Sequence, residues 1–180
     1  MNRLSFKVAL GGIVAALALL LMFLSGAIPL GVYCFPMFSG LLLLAVSRET
    51  GEKAAVVCYA AISLLSMMIT PDWEAKLMFI FILGYYPILR EKYEKIKLFP
   101  LRAAAKLLNF NAAVISAYLI MIYVFRLDAV IKSLGEFGEY TVWIMLAAAN
   151  VFFVIYDLLV KNLSELYDKK LRKLLHRRLK

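Results

Sequence analysis

The chain has little with which to hold a metal or close a disulfide. Its two cysteines, Cys34 and Cys58, sit inside apolar stretches without CxxC or Cys/His spacing, and its one histidine, His176, lies in a basic tail. Neither a metal site nor a disulfide framework can be read from that pattern. The sequence also contains no GxxxxGK[ST] phosphate loop, no HExxH, no GxSxG and no paired carboxylates at metal-binding spacing within an apolar stretch. An enzyme or a self-powered pump is therefore disfavoured, and no cofactor is expected. If the protein moves a solute uphill, the energy must come from an ion gradient or from a partner that hydrolyses ATP. Missing too is the alternation of apolar and polar residues that barrel strands require. No convincing internal repeat appears, only a loose likeness between YAAISLL and NAAVISAYLI.

What is present is apolar and comes in blocks. Hydrophobic residues make up 64% of 180, and the mean hydropathy of +0.83 is too high for one soluble domain of this length. A helix rises about 1.5 Å per residue, so about 20 apolar residues cross a hydrocarbon core of roughly 30 Å. Six such stretches are read, at 6–24, 28–46, 53–69, 74–90, 103–125 and 140–160, which predicts an all-α integral membrane protein. Lys and Arg fall on alternate sides of them: 18 of 21 lie before the first, after the second, after the fourth, or from Lys161 onward. Only Lys76, Arg126 and Lys132 lie on the other side. Cations are retained in the cytoplasm, so both termini are expected inside. Residues 1–160 would form the transmembrane domain and 161–180 a basic amphipathic cytoplasmic tail lying on membrane lipid. The net charge of +9 is accounted for by the inner connections, so nucleic acid is not an expected partner. The first span imitates a signal peptide but is too long and is followed by five more, so it is read as the first mature helix.

The second span is irregular, with Pro29, Gly31, Pro36 and Gly40 in its first half. Either residues 25–35 dip into the membrane as an ordered loop and gate the outer side, or the helix is long and kinked at Pro36. Thr70, Pro71, Asp72 and Glu74 carry the chemistry of a helix start: a capping hydroxyl, an early proline and acids near the positive dipole end. Between the fifth and sixth spans, LDAVIKSL reads as a short amphipathic helix or a plain connector, broken by Gly135 and Gly138.

Polar groups inside the spans are few and costly at depth. Asn109 and Asn111 in the fifth and Asn150 and Asp157 in the sixth suit hydrogen bonding between those helices better than a solute site. Lys161, one turn past Asp157, offers it a partner. Toward the outer half, Glu74, Lys76, Tyr118, Tyr123, Glu139, Tyr140 and Trp143 would converge if the last three helices packed together. Such a set describes either a small-molecule pocket or an interfacial aromatic belt. In the first span, Gly11, Gly12, Ala15 and Ala16 form two overlapping small-xxx-small pairs that let another helix approach closely.

ALGGIVAALA, TPDWEAKLMFIFILGYYPILR, LLNFNAAVISAYLI and LAAANVFFVIYD, with six spans, inside termini and basic inner loops, together resemble the S components of energy-coupling factor (ECF) transporters. These are small membrane subunits that capture vitamins and other micronutrients. The resemblance implies that Gly11/Ala15 and Gly12/Ala16 stand where the family has an AxxxA-type pattern contacting the transmembrane coupling subunit, with glycine replacing the leading alanine. It implies power from that subunit and two partner ATPases, and outer-side capture of a small-molecule ligand by the later helices. The expected capture residues are Glu74, Lys76, Tyr118 and Trp143, the opposite charges at one opening suiting a small zwitterion or amphipath. The alternatives are a non-transporting membrane scaffold or assembly factor and, third, an intramembrane enzyme or ion-coupled carrier centred on Asn150 and Asp157.

Overall fold

The computed structural model describes residues 3–27, 31–126 and 140–171. Among them there is no strand. Helix α1 spans Arg3–Leu24 and ends in a 3-10 turn at Ser25–Ala27; α2 is Gly31–Thr50, α3 Glu52–Ile69, α4 Trp73–Met78, α5 Tyr86–Tyr93, α6 Phe99–Tyr123 and α7 Thr141–Leu166. Single π-helical turns follow α4 at Phe79–Leu83 and α7 at Tyr167–Leu171. Among the described residues five helices are long and apolar enough to cross a membrane, at Ser5–Ala27, Gly31–Thr50, Glu52–Ile69, Phe99–Tyr123 and Thr141–Lys169. Together they make the chain an α-helical membrane protein.

The fourth apolar stretch is helical but interrupted, for a reason that starts with Pro87. Proline has no N–H, so the Leu83 carbonyl four residues earlier loses its helical donor. The Tyr156 hydroxyl donates to it from α7 at 2.7 Å. Gly84 N meanwhile donates to the Phe79 carbonyl, five residues back, at 2.8 Å, which widens the turn and leaves the Ile80 carbonyl to accept the Tyr59 hydroxyl from α3. A distorted turn is thus stapled on two sides by tyrosines. Gly40 on α2 passes directly over it: a Cβ there would run into the Leu83 carbonyl and stand 2.8 Å from the Tyr156 hydroxyl.

Helix α2 is the hub, packing on α1, α3, α4, α5 and α7. One buried cluster joins Val14, Ala18 and Met22 of α1 to Leu43 and Val46 of α2 and to Ala55, Cys58 and Ile62 of α3. The other joins Met37 and Leu41 of α2 to Leu77, Tyr86, Phe110, Met121, Phe153 and Tyr156. Ser39 strengthens the first by donating to the Ala18 carbonyl at 3.0 Å. The outward faces stay apolar, with Ile13, Val57, Leu64, Met68, Leu108 and Val151 exposed, as lipid-facing helices require.

Three local readings change. The second span runs as one helix from Gly31 through Pro36, which replaces the alternative of an ordered loop over its first half. Pro36 falls in the second turn, so the carbonyl it leaves without a donor, that of Val32, lies in the first turn near the helix end. The start of α4 is capped by Asp72, whose Oδ1 accepts from Ala75 N at 2.8 Å. Thr70 closes α3 instead, its N–H bonding the Ser66 carbonyl. Finally, α7 continues past residue 160 to Leu166, so the chain leaves the sixth apolar stretch as helix. The connection with LDAVIKSL, Glu139, Pro29 and the tail beyond Leu171 lie outside the described residues.

Candidate functional site

Capping by Asp72 places Glu74 in the first turn of α4, where the helix dipole favours an anion. Its Oε1 accepts a 2.6 Å hydrogen bond from the Tyr33 hydroxyl of α2 and a longer one, 3.4 Å, from the Tyr118 hydroxyl of α6. Three helices therefore meet at one carboxylate. Among the described residues no Lys or Arg pairs with it, so two neutral hydroxyls are its only side-chain partners. Tyr33 is 39% exposed, which leaves the cluster accessible from outside the bundle.

Lys76 goes elsewhere. Two residues along a helix is a turn of about 200°, which sends Glu74 and Lys76 to opposite sides of α4. Lys76 is buried; its Nζ donates to the Met67 carbonyl at 3.3 Å and lies 3.9 Å from the centre of the Trp73 ring. Met67 is in the last turn of α3, where carbonyls lack helical donors, so the ammonium closes the end of that helix. Trp73 in turn packs on Phe125 with ring centres 4.5 Å apart. Trp143 is 70% exposed on α7, and Tyr123 and Tyr140 are similarly exposed. Of the four expected capture residues, the structure brings together Glu74 and Tyr118, adds Tyr33, turns Lys76 to the end of α3 and leaves Trp143 exposed on α7.

The small residues of α1 divide between two faces. Val14, Ala18 and Met22 are buried against α2 and α3, and the Gly11 carbonyl accepts from the Cys58 thiol at 3.6 Å. Gly12 and Ala16 are exposed, Gly11 and Ala15 half-buried, and a Cβ built at either glycine would meet nothing within 4 Å. The stripe is open along the outside of the bundle.

At the end of the bundle where α5 and the start of α6 meet α7, an ionic network appears that sequence spacing did not reveal. Asp157 Oδ1 accepts from the Tyr86 hydroxyl at 2.6 Å, Arg90 Nε at 2.7 Å and Lys106 Nζ at 3.0 Å. Lys161, the neighbour anticipated for it, is exposed. Glu94 gathers Arg90 at 2.9 Å, Lys106 at 2.8 Å and Arg102 at 2.9 Å. Partial burial raises the Glu94 carboxyl, but the Lys106 hydrogen bond and the charges of Arg90, Lys106 and Arg102 outweigh it and hold the group below its ordinary range. Arg48 extends the network to Ser164, to Asp168 at 3.3 Å and to Glu91 at 3.4 Å, and Tyr167 donates to Glu49 at 3.0 Å. The Tyr86/Arg90 spacing, one helical turn on α5, was the visible half of this signal; the acid it serves lies 67 residues further on.

Asn111 and Asn150 exchange hydrogen bonds of 2.9 and 3.0 Å between α6 and α7. This is the interhelical role favoured for them from sequence. Asn109 turns instead to Tyr85, donating to its hydroxyl at 3.1 Å.

No protein-family model, no curated protein and no solved structure matches the chain.

Proposed function

We propose that this protein is the substrate-capture subunit of an ECF-type importer in the bacterial cytoplasmic membrane, working with a transmembrane coupling subunit and two ATPases. In this reading the composite helix Trp73–Tyr93 completes six crossings, and both termini are cytoplasmic. The observation that carries it is the open face of α1. Lipid tails gain nothing by leaving an apolar helix, so helices associate in bilayers where backbones can come close. A spanning helix that packs inward through Val14, Ala18 and Met22 and leaves Gly12 and Ala16 bare offers such a surface to a partner helix.

Capture falls to Glu74, with Tyr33 and Tyr118 as its aromatic and hydroxyl neighbours. A carboxylate served only by neutral donors attracts a cation, and tyrosine faces add to that attraction. Lys76 is occupied at the end of α3, so the ligand that suits this site is a small metabolite with an ammonium group rather than one needing both charges. Mass spectrometry of ligand released from the purified protein tests this directly. A co-purifying amine whose affinity falls about tenfold or more in Glu74→Gln, the worth of one charge-assisted contact, supports the reading. A ligand indifferent to both Glu74→Gln and Tyr118→Phe removes the site.

A scaffold without transport is the second reading, favoured by the use of Asn111, Asn150 and Asp157 entirely within the bundle. It predicts no released metabolite and no ATPase partners.

A further inference from the structure

A groove of about 440 Å³ lies between α3 and α6 over the π-helical turn, and no residue of the Glu74 cluster lines it. Tyr59, Phe81 and Tyr85 wall it, and Asn109, Ala112 and Ser116 of α6 form its other side. Ala112 and Ser116 are exposed, so the groove opens sideways out of the bundle, where the bilayer would lie. Two of its polar groups are already spent: the Tyr59 hydroxyl on the Ile80 carbonyl, and the Ser116 hydroxyl on the Ala112 carbonyl at 2.7 Å. The other two are not. Asn109 Nδ2 donates to the Tyr85 oxygen, but among the described residues nothing donates to Asn109 Oδ1 and nothing accepts the Tyr85 hydroxyl proton.

Asn109 stands ten residues into the 25-residue α6, one turn past Lys106 and in the inner half of the fifth apolar stretch, so these groups sit within the hydrocarbon rather than at its surface. Polar atoms facing hydrocarbon without partners are costly there. One acceptor and one donor side by side are matched by a single hydroxyl, which accepts from Tyr85 and donates to Asn109. No charged side chain lines the groove. Its volume falls within the range of small-molecule sites, whereas three turns of helix would fill on the order of 1,300 Å³.

We infer that this groove is a lateral site for a neutral, membrane-dissolved alcohol: an apolar body against Tyr59, Phe81 and Ala112, with its hydroxyl between Asn109 and Tyr85. The site does not depend on the capture reading, because it uses none of the Glu74 cluster and none of the α1 stripe.

The test uses the full chain in nanodiscs of zwitterionic phospholipid with a hexadecanol probe carrying an alkyl diazirine. Photolabelling is expected to saturate, to map to peptides holding Tyr59, Phe81 and Ala112, and to be competed by hexadecanol but not by hexadecane. Ala112→Phe and Ser116→Phe fill the groove from exposed positions outside the core and should abolish labelling while thermal unfolding is unchanged. Asn109→Leu should weaken competition by about tenfold, the worth of one hydrogen bond at this depth. Labelling that does not saturate, that spreads equally to Leu64 and Met68, that hexadecane competes as well as hexadecanol, or that survives both Phe variants overturns the proposal.

Discussion

The Tyr156 hydroxyl donates to the Leu83 carbonyl at 2.7 Å, filling the vacancy that Pro87 creates four residues on. Both groups are buried, so removing the donor strands an acceptor in a low-dielectric interior. Tyr156→Phe should destabilise the protein by about 1–3 kcal/mol, read from its unfolding in mixed SDS and neutral-detergent micelles. An unchanged midpoint would mean that the widened turn satisfies Leu83 without help.

Gly40 sits over the same carbonyl, and its neighbours are backbone and a locked tyrosine, which cannot give way. Gly40→Ala should therefore cost at least about 2 kcal/mol through overpacking, against almost nothing for Gly12→Ala, where a Cβ meets open space. Paired unfolding curves of the two variants check the contrast. Equal effects would contradict the close approach of α2 to the π-helical turn.

Asp157 holds two cations whose side chains are only about a tenth exposed, Arg90 at 10% and Lys106 at 9%. Asp157→Asn leaves them facing one another with Glu94 alone, a loss on the order of 3 kcal/mol. Adding Lys106→Met removes one of the stranded charges and should recover part of that loss. A functional role for Asp157 as an ion-coupling centre predicts the opposite pattern, with stability retained and activity lost.

Because the folded protein holds the Glu94 carboxyl below its ordinary value of 4.5, it favours the ionised form. The stability this contributes is complete above the ordinary value and is lost as pH falls through the lowered one. Unfolding of wild type and Glu94→Gln measured from pH 7 downward should differ above about pH 5 and converge in more acidic solution. A gap that stays constant with pH would show that the three cations do not act through the Glu94 charge.

Much of the architecture was legible in the sequence, because long apolar runs have few ways to fold and basic residues mark their ends. The bare stripe on α1 was legible too, since glycines and alanines four apart must share a face. The opposed directions of Glu74 and Lys76 were in principle readable from a spacing of two, but both charges had been assigned to one opening. The break at Phe79–Leu83 was harder, because Pro87 alone says only that a carbonyl loses its donor. Which tyrosines, 21 and 73 residues away, staple the turn is a matter of tertiary packing. The same limit hid the Arg90 and Lys106 contacts of Asp157, for which Lys161 was nearer in sequence and wrong in space.

Co-purification with ECF coupling modules, comparing wild type with Gly12→Leu/Ala16→Leu, tests the proposed coupling through α1 most directly. Both substitutions project from the outer face of α1, so the isolated subunit should fold and retain its ligand. The account predicts that wild type forms a stable complex with a coupling subunit and its ATPases and that the double variant does not. A wild-type protein that fails to join any of several such modules, or a double variant that joins as well as wild type, would contradict it.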